Sequence, residues 1–268
     1  MTTPDHDRDA LYHMILKRIM PLLLVCYTVA YIDRVNISLA KLQMLGELGL
    51  SETVFGIGAG IFFIGYFLCE VPSNLLLHKV GARFWIARIM ITWGVVAAML
   101  AAIAPIAHLF GPHMEQWVFL ALRFLLGAAE AGFFPGLVLY VNYWLPPERQ
   151  GRVFSILMAA QPISFVIGLP LSGWLLSALD GVLGFAGWRW MIVIEAVPAI
   201  LLGLVVARRL VDGPRQARWL SAAEVETVVQ AVEKRGKAKT DLPLGQVARM
   251  PVLWAMMAIW FLMVIGVY

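Results

Sequence analysis

Six ionisable residues, Asp33, Arg34, Glu70, Arg123, Glu130 and Glu195, stand inside stretches that are otherwise apolar for about 20 residues. An acid or base in such a stretch is costly to hold in hydrocarbon, so each one marks a functional site or an internal pair. Two acids and two bases at mid-depth would make a cavity that binds an anion through its arginines and takes up protons on its carboxylates. The competing reading is internal ion pairing that only staples helices together.

Depth along each helix follows from a rise of about 1.5 Å per residue. Asp33 lies about 16 residues into its stretch, roughly 24 Å from the starting side, and Arg123 lies about 7 residues, roughly 10 Å, below the opposite side. In a core about 30 Å thick those depths nearly coincide, and they predict an Asp33–Arg123 pair if the two helices face each other. Glu130 follows Arg123 by two turns and shares its face, below the midplane, whereas Arg34 points about 100° away from Asp33. Glu70, near the end of its stretch and before Pro72, is expected to contact loop cations. Glu195 has no evident partner. Tyr66 and Gln161 reach comparable depths and could hydrogen-bond a ligand, or simply pack.

The elements that must carry these residues are membrane helices. Of 268 residues, 61% are apolar and 14% are charged, about half the usual charged share. This excludes a soluble globular domain, a disordered tail and a nucleic-acid-binding arm. Six stretches are long enough to span a bilayer, at about 17–40, 52–76, 83–105, 116–142, 152–176 and 188–208. A seventh begins after Pro251 and is still running at Tyr268, and it reads as a truncated span. With the N-terminus inside, 17 of the 21 Lys and Arg collect on the inner side. The exceptions are Arg34, Lys41, Arg123 and Arg189. The expected organisation is a cytoplasmic N-terminus (1–16), a six-helix bundle (17–210), a cytoplasmic linker (211–249) and the start of a seventh helix (250–268).

Within the linker, Ser221 and Glu224 form a capping-box pattern, and Val225, Val228, Val229 and Val232 make one helical stripe. A short amphipathic helix followed by the basic run KRGKAK is expected there, as a connector or as an anionic-lipid site. Glycines at 56, 58, 60 and 65, and again at 127, 132 and 136, suit close helix packing or a sliding surface. Cys26 and Cys69 read as small hydrophobes. His108 and His113 flank a Gly-Pro turn in an outer loop. No phosphate-binding loop, metal spacing, nucleophile motif or channel filter is present, so no cofactor, no metal and no enzymatic activity are expected.

Several segments, taken together, resemble one family. YIDRVNIS (31–38), CEVPSNLLLHKVGAR (69–83), RFLLGAAEAGFFPG (123–136), WLPPERQGR (144–152), GWRWM (187–191) and WLSAAE (219–224) are similar, in order, to segments of the anion:cation symporters of the major facilitator superfamily. In the loop after the second span, Asn74 and His78 stand where the superfamily's general pattern has Gly and Asp, while Gly81 and Arg83 remain. The segment QPISFVIGLPLSG (161–173) does not match the drug-antiporter motif cleanly, which favours uptake over export. The resemblance implies an all-α integral membrane protein, the N-terminal six-helix half of a carrier of about twelve spans, in an inner membrane. It implies proton-coupled symport of a small organic anion such as a sugar acid, tartrate or an aromatic acid. Asp33 and Glu130 match the family's proton-titrating acids. Arg34 matches the substrate-carboxylate binder, Tyr66 and Gln161 match cavity positions, and Arg123 matches the residue that couples to the acids. The expected partners are the organic anion, protons, the lipid bilayer and a missing C-terminal half. The alternative is a non-transporting fragment or half-carrier that acts as a sensor or pairs with another chain.

Overall fold

The computed structural model describes residues 4–236, 244–247 and 249–265. The first helix, α1, runs over Pro4–Leu48, and α2 over Glu52–Val80. The third pass is α3, Ala82–Leu100, continued after a kink by α4, Ile103–Phe110. The fourth is split into α5, Glu115–Glu130, and α6, Phe133–Trp144. The fifth is α7, Pro147–Met158, and α8, Ala160–Ala178; the sixth is α9, Gly187–Arg209. After these come α10, Ala222–Gly236, α11, Leu244–Val247, and α12, Pro251–Ile265. Six of the helical passes are long and apolar enough to cross a membrane, in the order read from the sequence.

Their outward surfaces carry Phe67, Val71, Val166 and Trp174, all well exposed. Apolar side chains facing outward are what a bilayer requires, since lipid and not water surrounds them. Between helices, small residues set the distance. A Cβ on Gly127 would collide with the carbonyl oxygen of Phe62, and one on Gly65 with that of Phe124, so α2 and α5 approach backbone to backbone. Gly56 and Gly60 face open space, so only part of the glycine pattern serves this contact.

Three registers position the site. Ser164 donates to the Thr28 carbonyl at 2.9 Å, and Gly168 lies against Ile32, which sets α8 parallel to α1. The Gln43 side chain accepts the Trp188 N–H at 3.0 Å, which sets α9 antiparallel to α1. Helix α5 packs chiefly on α2 and α3.

Helix α1 extends well before its apolar stretch, back to Pro4, because Leu11, Tyr12 and Ile15 are buried against the bundle. At this end Arg149 pairs with Asp9 and lies 4.7 Å over the Tyr12 ring. The linker docks on the same end. Trp219 stacks on Trp144 at 5.6 Å, with Arg18 over its other face at 5.0 Å, and Tyr140 donates to the Val211 carbonyl. The Ser221–Glu224 capping box is formed in both directions, and the valine stripe of α10 turns inward, with Val228 fully buried. Much of the basic run falls at 237–239, and the end of the seventh span at 266–268; both lie outside the described residues.

Candidate functional site

The fourth pass is broken where its acid stands. Helix α5 ends at Glu130, Ala131 leaves helical geometry (φ −54°, ψ 133°) and Gly132 adopts φ 82°, a left-handed conformation suited to glycine. Ser73 of α2 holds the break: its hydroxyl donates to the Ala131 carbonyl at 2.8 Å and accepts the Trp85 indole N–H at 3.0 Å. A Cβ at position 132 would strike the Ser73 hydroxyl, so a side chain there would displace this clasp. Non-helical backbone at such depth is tolerated where it is buried in protein or lines a cavity.

Glu130, 2% exposed, takes Arg34 as its partner: Arg34 Nε donates to Glu130 Oε1 at 2.7 Å, and Nη2 lies 2.5 Å from the same oxygen in an ion pair. The Arg34 guanidinium sits 5.6 Å from the ring centres of both Tyr31 and Tyr66, a cation–π arrangement on two sides. Its side chain keeps 29% of its exposure, against 3% for that of Glu130. The guanidinium is therefore only partly enclosed. A guanidinium presents two edges to planar acids, and one here holds Glu130. Tyr27 extends the aromatic wall, 3.3 Å from Tyr31 hydroxyl to hydroxyl and stacked on Phe134.

Asp33 and Arg123 do not pair. Asp33 accepts the Trp93 indole N–H at 2.7 Å and the Asn36 amide at 3.3 Å. Arg123 donates to the Gly58 carbonyl at 3.0 Å and lies 4.9 Å over the Phe62 ring. Equal depth is not enough: α1 and α5 do meet, through Arg34 and Glu130, but Asp33 points about 100° away from Arg34, toward Trp93 of α3. Arg123 still feels Glu130 and Asp33 electrostatically. Glu70, one turn beyond Tyr66 on the same face of α2, makes no ion pair with a loop cation among the described residues; the charge that acts on it is Arg34 of α1.

Gln161 is half-buried and stands apart. The α1–α8 register puts it level with Val25, nine residues or about 13 Å along the axis from Arg34. Glu195 does have a partner, Ser172, whose hydroxyl donates at 2.6 Å. Sequence reading passed over Tyr31, Asn36, Ser172 and Trp93. The first two lie within YIDRVNIS, and Asn36 is three residues from Asp33 on one helical face, a legible signal. Trp93 and Ser172 gave none, since neither is charged.

The remaining cations that break the inner-side bias also have partners. Lys41 pairs with Glu52. Arg189 meets Glu47 at 2.8 Å, and Glu47 also accepts the Trp188 indole at 2.5 Å. His78 bonds Tyr143 through Nδ1 at 3.0 Å.

A broken membrane helix carrying a buried acid, clamped on a partly exposed arginine, is consistent with transporter architecture. The Major Facilitator Superfamily profile matches residues 23–268, and the chain belongs to that superfamily, whose members are membrane transporters and not enzymes. It is 52% identical over 235 residues to a "Putative tartrate transporter" of Agrobacterium vitis, covering 86% of this chain and 52% of that protein. It is 46% identical to the "Putative metabolite transport protein NicT" of Pseudomonas putida, covering 87% of this chain and 52% of that one. The fold matches the inward-open structure of the xylose transporter XylE from E. coli, with a TM-score of 0.61 at 18% identity over 87% of this chain and 58% of that one. The chain spans about half the length of the curated relatives it matches.

Proposed function

We propose that this chain forms the N-terminal half of a carrier that takes up a small organic carboxylate together with protons. One observation carries the reading: Arg34 is paired with a buried glutamate while its own side chain stays partly exposed. Glu130 and a substrate carboxylate compete for the same guanidinium. Ionised Glu130 occupies Arg34. Protonated Glu130 is a poor partner and frees Arg34 for the anion. Proton and anion thus favour the same loaded state, which is the differential affinity that coupling needs. Asp33 is the second proton-binding acid, set by Trp93 and Asn36. Arg123 stands between the acids as a fixed positive charge. Tyr66 and Tyr31 wall the guanidinium, and Gln161 lines a deeper level of the same cavity. The tartrate name of a relative supports a hydroxylated dicarboxylate among the candidate anions, beside sugar acids and aromatic acids. The second half of the site comes from the further helices that the relatives' lengths imply. The membrane is an inner membrane, with the start of α1 on the cytoplasmic side by the distribution of Lys and Arg.

The test is uptake of labelled tartrate, a sugar acid and an aromatic acid into proteoliposomes holding the complete carrier, driven by an imposed pH gradient. Arg34→Ala should abolish uptake of every anion the wild type carries. Unchanged uptake would reject the assignment.

A further inference from the structure

A second group of buried polar side chains lies on the Asp33 face of α1, turned about 100° away from Arg34. Three registers converge on it. The α1–α9 pairing of Gln43 with Trp188 and the α1–α8 pairing of Thr28 with Ser164 each place Asn36 level with its neighbour, Glu195 on α9 and Ser172 on α8. Ser172 and Glu195 are bonded to each other, which closes the triangle. Asn36 is 3% exposed, Glu195 4% and Ser172 fully buried.

The hydrogen bonds leave one atom over. Ser172 donates to Glu195 Oε1, but Glu195 Oε2 is buried with no hydrogen-bond partner. The side chain beside it is Asn36, whose amide is turned to Asp33 Oδ1, and the charges of Glu195 and Asp33 lie near enough to repel. Helix α3 contributes Trp93, whose N–H goes to Asp33. It brings no charge to this level, since the contacts of Gly94 with Ile200 and Gly203 with Ile91 put Met99 level with Glu195 and Arg88 far along the helix. The cation on α9, Arg189, lies six residues away and is held by Glu47 and the Ala101 carbonyl. A buried carboxylate with a second acid nearby and no facing cation is not stable as an anion; it takes up a proton. The donors already aimed at the two acids leave too few free oxygens to wrap a metal ion.

We infer that Glu195 is a third proton-binding acid of this half, holding its proton as a carboxylic acid, with Asn36 as the positioning residue that links it to Asp33. The exchange is balanced and carries no net charge. The Glu195 O–H proton passes to the Asp33 carboxylate, and the Asn36 amide turns from Asp33 to the new carboxylate at 195, which Ser172 already solvates. The link to Asp33 rests on the proposed function; the proton on Glu195 does not.

Infrared difference spectra of the complete carrier in liposomes test this, read in the carboxylic-acid carbonyl region while pH is stepped from about 5 to about 9. Glu195→Gln should remove one carboxylic-acid band that is present at neutral pH. Asn36→Ala should keep that band and move the midpoint at which the Asp33→Asn-sensitive band titrates, by about one pH unit. Should Glu195→Gln fail to fold, Ser172→Ala keeps the acid and should shift the same band's frequency. Identical spectra for the wild type and Glu195→Gln, or a band that sodium in place of potassium abolishes, would overturn the inference. Silence of Asp33→Asn and Glu130→Gln with the Glu195 band intact would instead remove the proposed function and leave this proton site standing.

Discussion

Glu130→Gln separates an acid that competes with substrate from one that merely braces the bundle. One charge-assisted hydrogen bond, at 2.7 Å, and an ion-pair contact at 2.5 Å tie Arg34 to one glutamate oxygen. A bond to a charged group contributes roughly 1 kcal/mol more than a neutral one. A glutamine carbonyl in the same place would therefore hold Arg34 less tightly by about 1 kcal/mol. That difference passes to whatever carboxylate replaces it, and about 1 kcal/mol is roughly 5-fold in affinity. Removing the negative charge from beside an incoming anion adds in the same direction, so the figure is a lower bound. The assay is equilibrium binding of labelled tartrate to the complete carrier in nanodiscs at a pH near 8. The expected result is tighter binding than wild type. Weaker or unchanged binding would refute the competition.

Gly127→Ala should lower thermal stability, because its Cβ meets the Phe62 backbone, which cannot rotate aside. Overpacking of this kind costs about 1–3 kcal/mol, and Gly60→Ala, which faces open space, is the control that should leave the melting temperature unchanged. At the linker, the Ser221 backbone N–H bonded to Glu224 holds that carboxyl below the ordinary glutamate range. A depressed folded-state value means that its support of α10 is present above the unfolded value, about 4.3, and is lost as pH falls through the folded one. Amide exchange in the first turn of α10 should therefore quicken on acidification, slightly because Glu224 is solvent-facing, and Glu224→Gln should remove that dependence.

The six spans were legible because lipid leaves a chain little choice. Each pass must satisfy its own backbone and stay apolar for some 20 residues, and both requirements are visible in one dimension. Arg34 and Glu130 were legible as charges within spans for the same reason: charge at that depth is rare. Their pairing was not. Counting residues gives height along the membrane normal but not which helices are neighbours, so Asp33 and Arg123 looked matched. The bundle then placed α1 against α8 and α9, and gave Asp33 a tryptophan. The break at Gly132 was hidden as well, since a glycine in an apolar stretch reads as a packing residue until its φ of 82° is seen. The polar start of α1 was read as a tail because its buried residues, Leu11, Tyr12 and Ile15, are spaced among charges.

The four cations that violate the inner-side bias divide by what they meet. Lys41 and Arg189 meet acids near the end of the bundle opposite the linker, and Glu47 serves Arg189 and Trp188 together, which ties α1 to α9. These contacts hold helices and leave nothing free for a ligand. Arg123 spends its Nε on a backbone carbonyl deep between α2 and α5, where two glycines bring the helices into contact. Arg34 is the one whose acid sits at the end of a broken helix, with its own side chain still partly exposed. On the proposed mechanism, a cation that must release one carboxylate to bind another needs a partner that can be neutralised where it stands. A buried glutamate would supply that. Were Arg34 paired instead with a well-hydrated surface acid, a proton would have little hold on the exchange. The burial of Glu130, more than the presence of an arginine, is what the proposed coupling rests on.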